Sequence, residues 1–211
     1  PQPIDDCGKP LFDRKTQRDE RMPIARVDYQ MTNSHSVFAR YEYSRLGFKP
    51  DADPNTNVIA YSNGPSAFTA KSLVIGDTYL LGSNTVNSFR ITSNKSLIRN
   101  DYIPAVDANT LGIQNIAVPL PGLLTVTVGG GFSFGKSPTL NPTGAFQLAD
   151  DFSVVRSSHQ LGLGVNYIHS YLNTTSYGSA SGTFSFTGGT TGLGLTDMLL
   201  GLPTSFTQGS I

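Results

Sequence analysis

Residues 128–138 read VGGGFSFGKSP, and Gly130, Gly135, Lys136 and Ser137 satisfy the phosphate-loop pattern G-x-x-x-x-G-K-[ST]. That pattern serves nucleotide chemistry because backbone N–H groups at a helix start face the anion. The lysine reaches the outer phosphates and the hydroxyl helps to hold magnesium. Upstream, LLTVTV (123–128) reads as the strand such a loop needs. Downstream, Pro138, Pro142 and Gly144 fall in what would be the first helical turns, and an interior proline costs a helix about 3 kcal/mol. No alternation of strands with helices follows. The expectation is a flexible glycine loop that binds no nucleotide.

The other chemistry-bearing residues are equally short of partners. His35, His159 and His169 have no His or Cys at ligand spacing and read as turn or strand-end residues, not as a metal site. Ser157-Ser158-His159 near Asp151 has the residue types of a nucleophilic triad, but no glycine-framed elbow carries the serine. The single cysteine, Cys7, rules out an internal disulfide and a multi-cysteine zinc site. No catalytic residue, metal or cofactor is expected, and the chain reads as non-enzymatic.

The elements must therefore be read for what else they position. The chain has 211 residues, and its 15 basic and 15 acidic side chains cancel, so no electrostatic footprint for nucleic acid is visible. Charged residues are only 14%, while Gly (22) and Pro (13) are plentiful, a profile that suits a β-rich chain with many turns. No run approaches the roughly 18 apolar residues of a membrane helix. The chain begins at Pro1 without an initiator methionine or a leader, and is expected to be an internal piece of a longer protein.

Alternation with period two dominates after residue 23. In 23–31, Ala25, Val27, Tyr29 and Met31 share one face, with Ile24, Arg26, Asp28 and Gln30 on the other. In 37–45, Val37, Ala39, Tyr41 and Tyr43 oppose Phe38, Arg40, Glu42 and Ser44. Closing this hairpin around Asn33, Ser34 and His35 sets Arg26 against Glu42 and Asp28 against Arg40, two opposite-charge pairs. A second hairpin (71–93) sets Asp77 against Arg90, although Leu73, Ile75 and Tyr79 then share the polar face. A third (146–169) sets Val154 against Leu161 and Phe152 against Leu163, with Asp150 on the apolar side opposite Val165.

These hairpins have tight turns, yet the connections 46–70, 94–145 and 170–211 are long, after an irregular lead-in at 1–22. Structureless loops of that length are unusual in compact soluble domains. Short turns at one end and long loops at the other are the plan of an outer-membrane barrel. The expected fold is all-β: an antiparallel segment of a transmembrane β-barrel, about six strands in meander hairpins over 23–211. Lipid would meet the apolar face, and Arg26, Asp28, Arg40, Glu42, Asp77 and Arg90 would line a wet lumen. The loop aromatics Tyr102, Phe132, Phe134, Phe184 and Phe186 become candidates for cargo contact, weighed against packing among the loops themselves. A soluble or surface-attached β-sandwich that binds glycans or proteins as an adhesion module gives the same alternation and stays open at this point.

Four phrases carry a resemblance. RVDYQMTNSHSVFARYEYSR (26–45) follows R-x-D-x-x-x-(T/S)-x-x-H-x-x-F-x-R-Y-x-x-S, and DTYLLGSNTVNSFRIT (77–92) is similar to T-x-x-x-S-x-x-x-V-N-x-F-R, with Gly82 at the serine position. QLADDFSVVRSSHQLGLGVNY (147–167) follows D-x-x-S-x-x-x-G-x-H-x-x-x-x-G, with Ser157 or Ser158 in place of the usual glycine. GTFSFTGGTTGLGLTDMLLGLPTSFTQGS (182–210) is similar to G-x-F-x-F-x-G-x-x-T-G-x-x-x-A-D-F-L-L-G-x-P, with Thr196 at the alanine and Met198 at the phenylalanine position. In this order they resemble the large TonB-dependent receptors of the Oar-like kind. The resemblance implies a bacterial outer-membrane barrel of about 22 strands. It also implies a plug domain, coupling to the TonB complex, and passage of a cargo of unspecified identity. In the last phrase Thr196 is expected to cap a short helix that Gly201 ends.

Overall fold

The computed structural model describes residues 16–53, 56–59, 61 and 64–209, with the backbone of 2–3 and 10–11. Cys7 lies outside the described residues, as does most of the lead-in before residue 16. In chain order the strands are β1 (Gln2–Pro3), β2 (Pro10–Leu11), β3 (Arg18–Arg21), β4 (Ile24–Thr32), β5 (His35–Phe48), β6 (Ser66–Leu80) and β7 (Thr85–Asn100). They continue with β8 (Thr125–Val128), β9 (Ser133–Phe134), β10 (Thr139–Arg156), β11 (His159–Leu172), β12 (Thr175–Ser176) and β13 (Thr183–Phe186). After the helix α1 (Gly194–Leu199) comes β14 (Ser205–Thr207).

One antiparallel sheet dominates. Its order is β11-β10-β7-β6-β5-β3, with β4 also on β5 and β12 on β10. The strands run past the hairpin limits of 23–45, 71–93 and 146–169, and Arg18–Arg21 in the expected lead-in pairs with β5. The pattern marks only the stretch where one face is apolar, whereas the ladder continues into the polar ends.

Turn chemistry fixes the three registers differently. At the third hairpin Arg156 pairs with His159, so two residues turn the chain, and Val154–Leu161, Phe152–Leu163 and Asp150–Val165 oppose each other as expected. At the first, Thr32 pairs with His35, but Met31 is left out of the ladder and the register shifts. Without that bulge Val27 would face Arg40, mixing the apolar and charged faces. With it, Val27 faces Ala39 and Arg26 faces Arg40. The expected Arg26–Glu42 and Asp28–Arg40 pairs are thus corrected: Glu42 opposes Ile24 and Asp28 opposes Phe38. At the second hairpin Leu80 pairs with Val86, which sets Asp77 against Phe89 and Gly76 against Arg90.

Two of the long connections are not structureless. β8, β9, β13 and β14 build a second sheet, in which β13 runs parallel to β8 and antiparallel to β14. Leu124, Val126, Val128, Phe134 and Phe186 form its core, with Val58, Phe132, Phe184 and Met198 packed against it. Helix α1 starts two residues before the expected cap: Leu193 occupies the N-cap without a side-chain bond, and Thr196 lies inside the helix. Gly201 does follow its end, at φ 68°.

Candidate functional site

The large sheet has two chemically opposed faces. Ladder neighbours share a face, so Arg26, Asp28, Arg40, Glu42 and Arg90 line up on one side with Ser72, Thr92, Asn94, Gln147 and Asn166. This side is concave. A hollow of ≈ 450 Å³ is lined by Arg26, Arg40, Arg90 and Gln147 among others, and one of ≈ 630 Å³ by small polar residues such as Ser44, Ser72, Ser96 and Thr143. Arg26 is held twice: its guanidinium donates to the Asp28 carboxylate at 2.6 Å and lies 4.2 Å above the Phe38 ring. The Phe38 ring occupies the space in which a Cβ on Gly76 would sit, which explains a glycine in mid-strand.

Asp77 does not belong to this group. It lies on the convex face with Leu73, Ile75 and Tyr79, so the sixth member of the expected lumen ladder is corrected. The cause is the Leu81–Thr85 closure, where the Leu81 N–H donates to the Thr85 carbonyl at 2.8 Å and places the ladder one residue away from an Asp77–Arg90 pair. The three apolar side chains thereby reach the apolar face. Asp77 finds His35 at 2.6 Å, and Asp150 accepts from Asn87 at 2.8 Å.

The convex face is otherwise an apolar band. Successive rows across the strands are Tyr29, Val37, Phe89 and Val165, then Val27, Ala39, Ile75, Ile91, Leu148 and Tyr167, then Ala25, Tyr41, Leu73 and Phe146. Most of these side chains are open to the surroundings, with Val27 at 68% and Val165 at 69% relative exposure, as is Leu163 at 62% in the next row. From His35 to Tyr43 the extended chain covers roughly 26 Å. At the usual tilt that is close to the height of a lipid-facing band, with tyrosines at its margins. A β-sandwich would cover this face with a second sheet, and none does so among the described residues.

The loop aromatics come together, but as structure. Phe134 and Phe186 are core residues, Phe132 and Phe184 stack beside them with ring centroids 6.3 and 6.5 Å away, and Phe184 meets Phe206 at 4.6 Å. Tyr102 donates to the Pro121 carbonyl at 3.3 Å. What the loops expose instead is leucine: Leu193, Leu195, Leu199 and Leu200 are all at least half exposed around α1. The run GLGLTDMLLG carried that signal, and reading it only for a helix cap missed it.

Two buried aspartates tie the loops. Asp107 accepts the Gly122 N–H at 2.6 Å and the Thr110 N–H at 2.8 Å, bonds that hold its carboxyl below the ordinary range. Asp197, wholly enclosed, accepts the Thr191 hydroxyl at 2.7 Å and the N–H groups of Thr191 and Thr190. The Thr191 hydroxyl bond is the main cause of its lowered pKa. Burial pushes the Tyr61 phenol up.

The phosphate-loop match resolves into a hairpin. Val126 pairs with Phe134 and Thr127 with Ser133 around the glycines, and the next element is strand β10. The triad residues are separated, since Asp151 lies on the concave face and His159 on the convex one. His169 is opposite Phe146 in the band.

An open, curved antiparallel sheet with an exposed apolar outside and a charged inside defines the wall of a transmembrane β-barrel. The chain belongs to the outer membrane beta barrel domain family, whose model matches residues 5–211. No curated protein matches it significantly. Family membership places the chain in the bacterial outer membrane, with lipid against the convex face.

Proposed function

We propose that this barrel wall and its loops belong to a TonB-dependent receptor, a non-enzymatic transporter that passes a cargo through a plugged lumen. The observation that carries the reading is the open sheet. Among the described residues β4 and β11 bound it with their outer edges unpaired over 9 and 14 residues, and bare edges are not sustained in a bilayer. Further strands must continue the wall, and a large strand number encloses a lumen wide enough for a plug. Concave-face charges such as Arg26, Arg40, Glu42 and Arg90 suit contact with such a plug or with a polar cargo. The four phrase resemblances support the same family and fall on the first three hairpins and on the α1 loop.

The test uses the full-length gene product purified from outer membranes. Binding to the periplasmic domain of TonB, lost when the segment before the plug is deleted, is the expected result. A full-length sequence that encodes no plug-like domain, or a folded barrel that fails to bind TonB, overturns the proposal.

A further inference from the structure

The two margins of the apolar band differ in charge. At the tight-turn margin the acids are satisfied, Asp77 by His35 and Asp150 by Asn87. At the loop margin the convex face carries cations. Lys71 stands directly opposite Lys95, and one pair further out Arg21 stands directly opposite Arg45. All four side chains are exposed, and none forms an ion pair among the described residues. Asp19 shares the face one pair beyond Arg21 but pairs with none of them, and Arg99 is engaged by Asp101 at 2.8 Å.

Like charges directly opposite each other, roughly 5 Å apart at Cβ, destabilise a sheet unless an anion lies between them. Two such pairs in adjacent rows make a cluster of four positive charges beside the band. Tyr43 flanks Lys71, and on the far side Tyr171 lays its ring over Gly144, the neighbour of Lys95. A hollow of ≈ 200 Å³ opens among Asp19, Arg21, Arg45 and Gly47. Long cationic side chains rising from an apolar surface toward the headgroup level are suited to phosphate.

We infer that Arg21, Arg45, Lys71 and Lys95 form a docking site for the phosphates of an outer-leaflet lipid headgroup, whose acyl chains lie along the apolar band below. The inference rests on membership of the barrel family and on the long loops facing outward. It does not depend on the transport reading. A headgroup with two phosphates matches two cation pairs in adjacent rows, and the acyl chains supply the contact that free phosphate lacks.

The experiment is native mass spectrometry of the full-length protein released from zwitterionic micelles containing bisphosphorylated lipid A, its dephosphorylated form, or inorganic phosphate. Adducts are expected with the bisphosphorylated lipid alone. Lys71→Gln with Lys95→Gln should weaken binding about tenfold, as should Arg21→Gln with Arg45→Gln. Arg156→Gln, on the convex face at the tight-turn end, should leave binding unchanged. Heat-modifiable migration on gels checks that each variant is folded, and the arginine pair decides the matter if the lysine variant does not fold. Equal binding of the dephosphorylated lipid, undiminished binding by the folded variants, or an equal loss with Arg156→Gln overturns the site.

Discussion

Asp77 sits opposite Phe89 in the β6–β7 ladder, and its Oδ2 is 2.6 Å from Nε2 of His35, the first residue of β5. The His35 ring lies 4.9 Å from that of Tyr79, so the polar pair is bounded by an aromatic side chain at the edge of the lipid-facing band. Polar groups at this depth are costly when unbonded. The pair is therefore expected to be energetically coupled. A double-mutant cycle with His35→Ala and Asp77→Ala, read by unfolding of the full-length barrel in bilayers, should give a coupling of about 1 kcal/mol. Additive losses would show that the two groups are only neighbours.

Ile91 and Thr92 are adjacent in β7 but point to opposite faces. Ile91 belongs to the middle row of the band, with Ile75 and Leu148 as neighbours, while Thr92 lines the concave hollow beside Arg90. Ile91→Arg should destabilise the barrel by about 2–4 kcal/mol, the cost of a cation at the lipid midplane. Thr92→Arg should cost clearly less, because its charge stays in the wet interior. Bilayer refolding titrations distinguish the two, and the reverse ranking would exchange inside and outside.

The turn at Ser157 makes a sharper point about local strain. Its φ is 55°, a conformation that a side chain disfavours and glycine adopts freely, and it occupies the first central position of a two-residue hairpin turn. Ser157→Gly should raise stability by about 0.5–1 kcal/mol. Ser158→Gly should not, since Ser158 is not among the residues of positive φ. Equilibrium unfolding of both variants settles it.

How far the sequence disclosed this arrangement follows from the physics of each turn. Alternation alone identified the six long strands, because one face of each must be apolar. The 157–158 turn adds no irregularity, so its register was readable to the residue. The Met31 bulge was not, since nothing in MTNSHS marks which residue leaves the ladder. Asp77 misled because an attractive pairing with Arg90 outweighed the three apolar neighbours that argued against it. The loop module was least legible: β8 meets β13 in parallel across a long separation, and a four-residue strand leaves little period to detect. The loop phenylalanines signalled their hydrophobicity but not their destination, and their core role emerged only with that pairing.

Asp197 gives the loop module a pH dependence with a definite sign. Its folded-state pKa is depressed, chiefly by the Thr191 hydroxyl and then by the Thr190, Thr191 and Gly188 backbone. A depressed carboxyl contributes stability that is fully present above its unfolded pKa, near 4, and disappears as pH falls through the lower folded value. The Thr190 and Thr191 amides donate directly to this carboxylate, so their exchange reports on it. Corrected for the intrinsic rate, protection of the 188–192 segment should hold from neutral pH through the ordinary carboxylate range and fall only below it. Asp197→Asn keeps the shape but loses the charge, and should show weaker protection at neutral pH with little change on acidification. Equal protection of the two proteins at neutral pH would mean that packing around Met198, not the carboxylate, holds the loop.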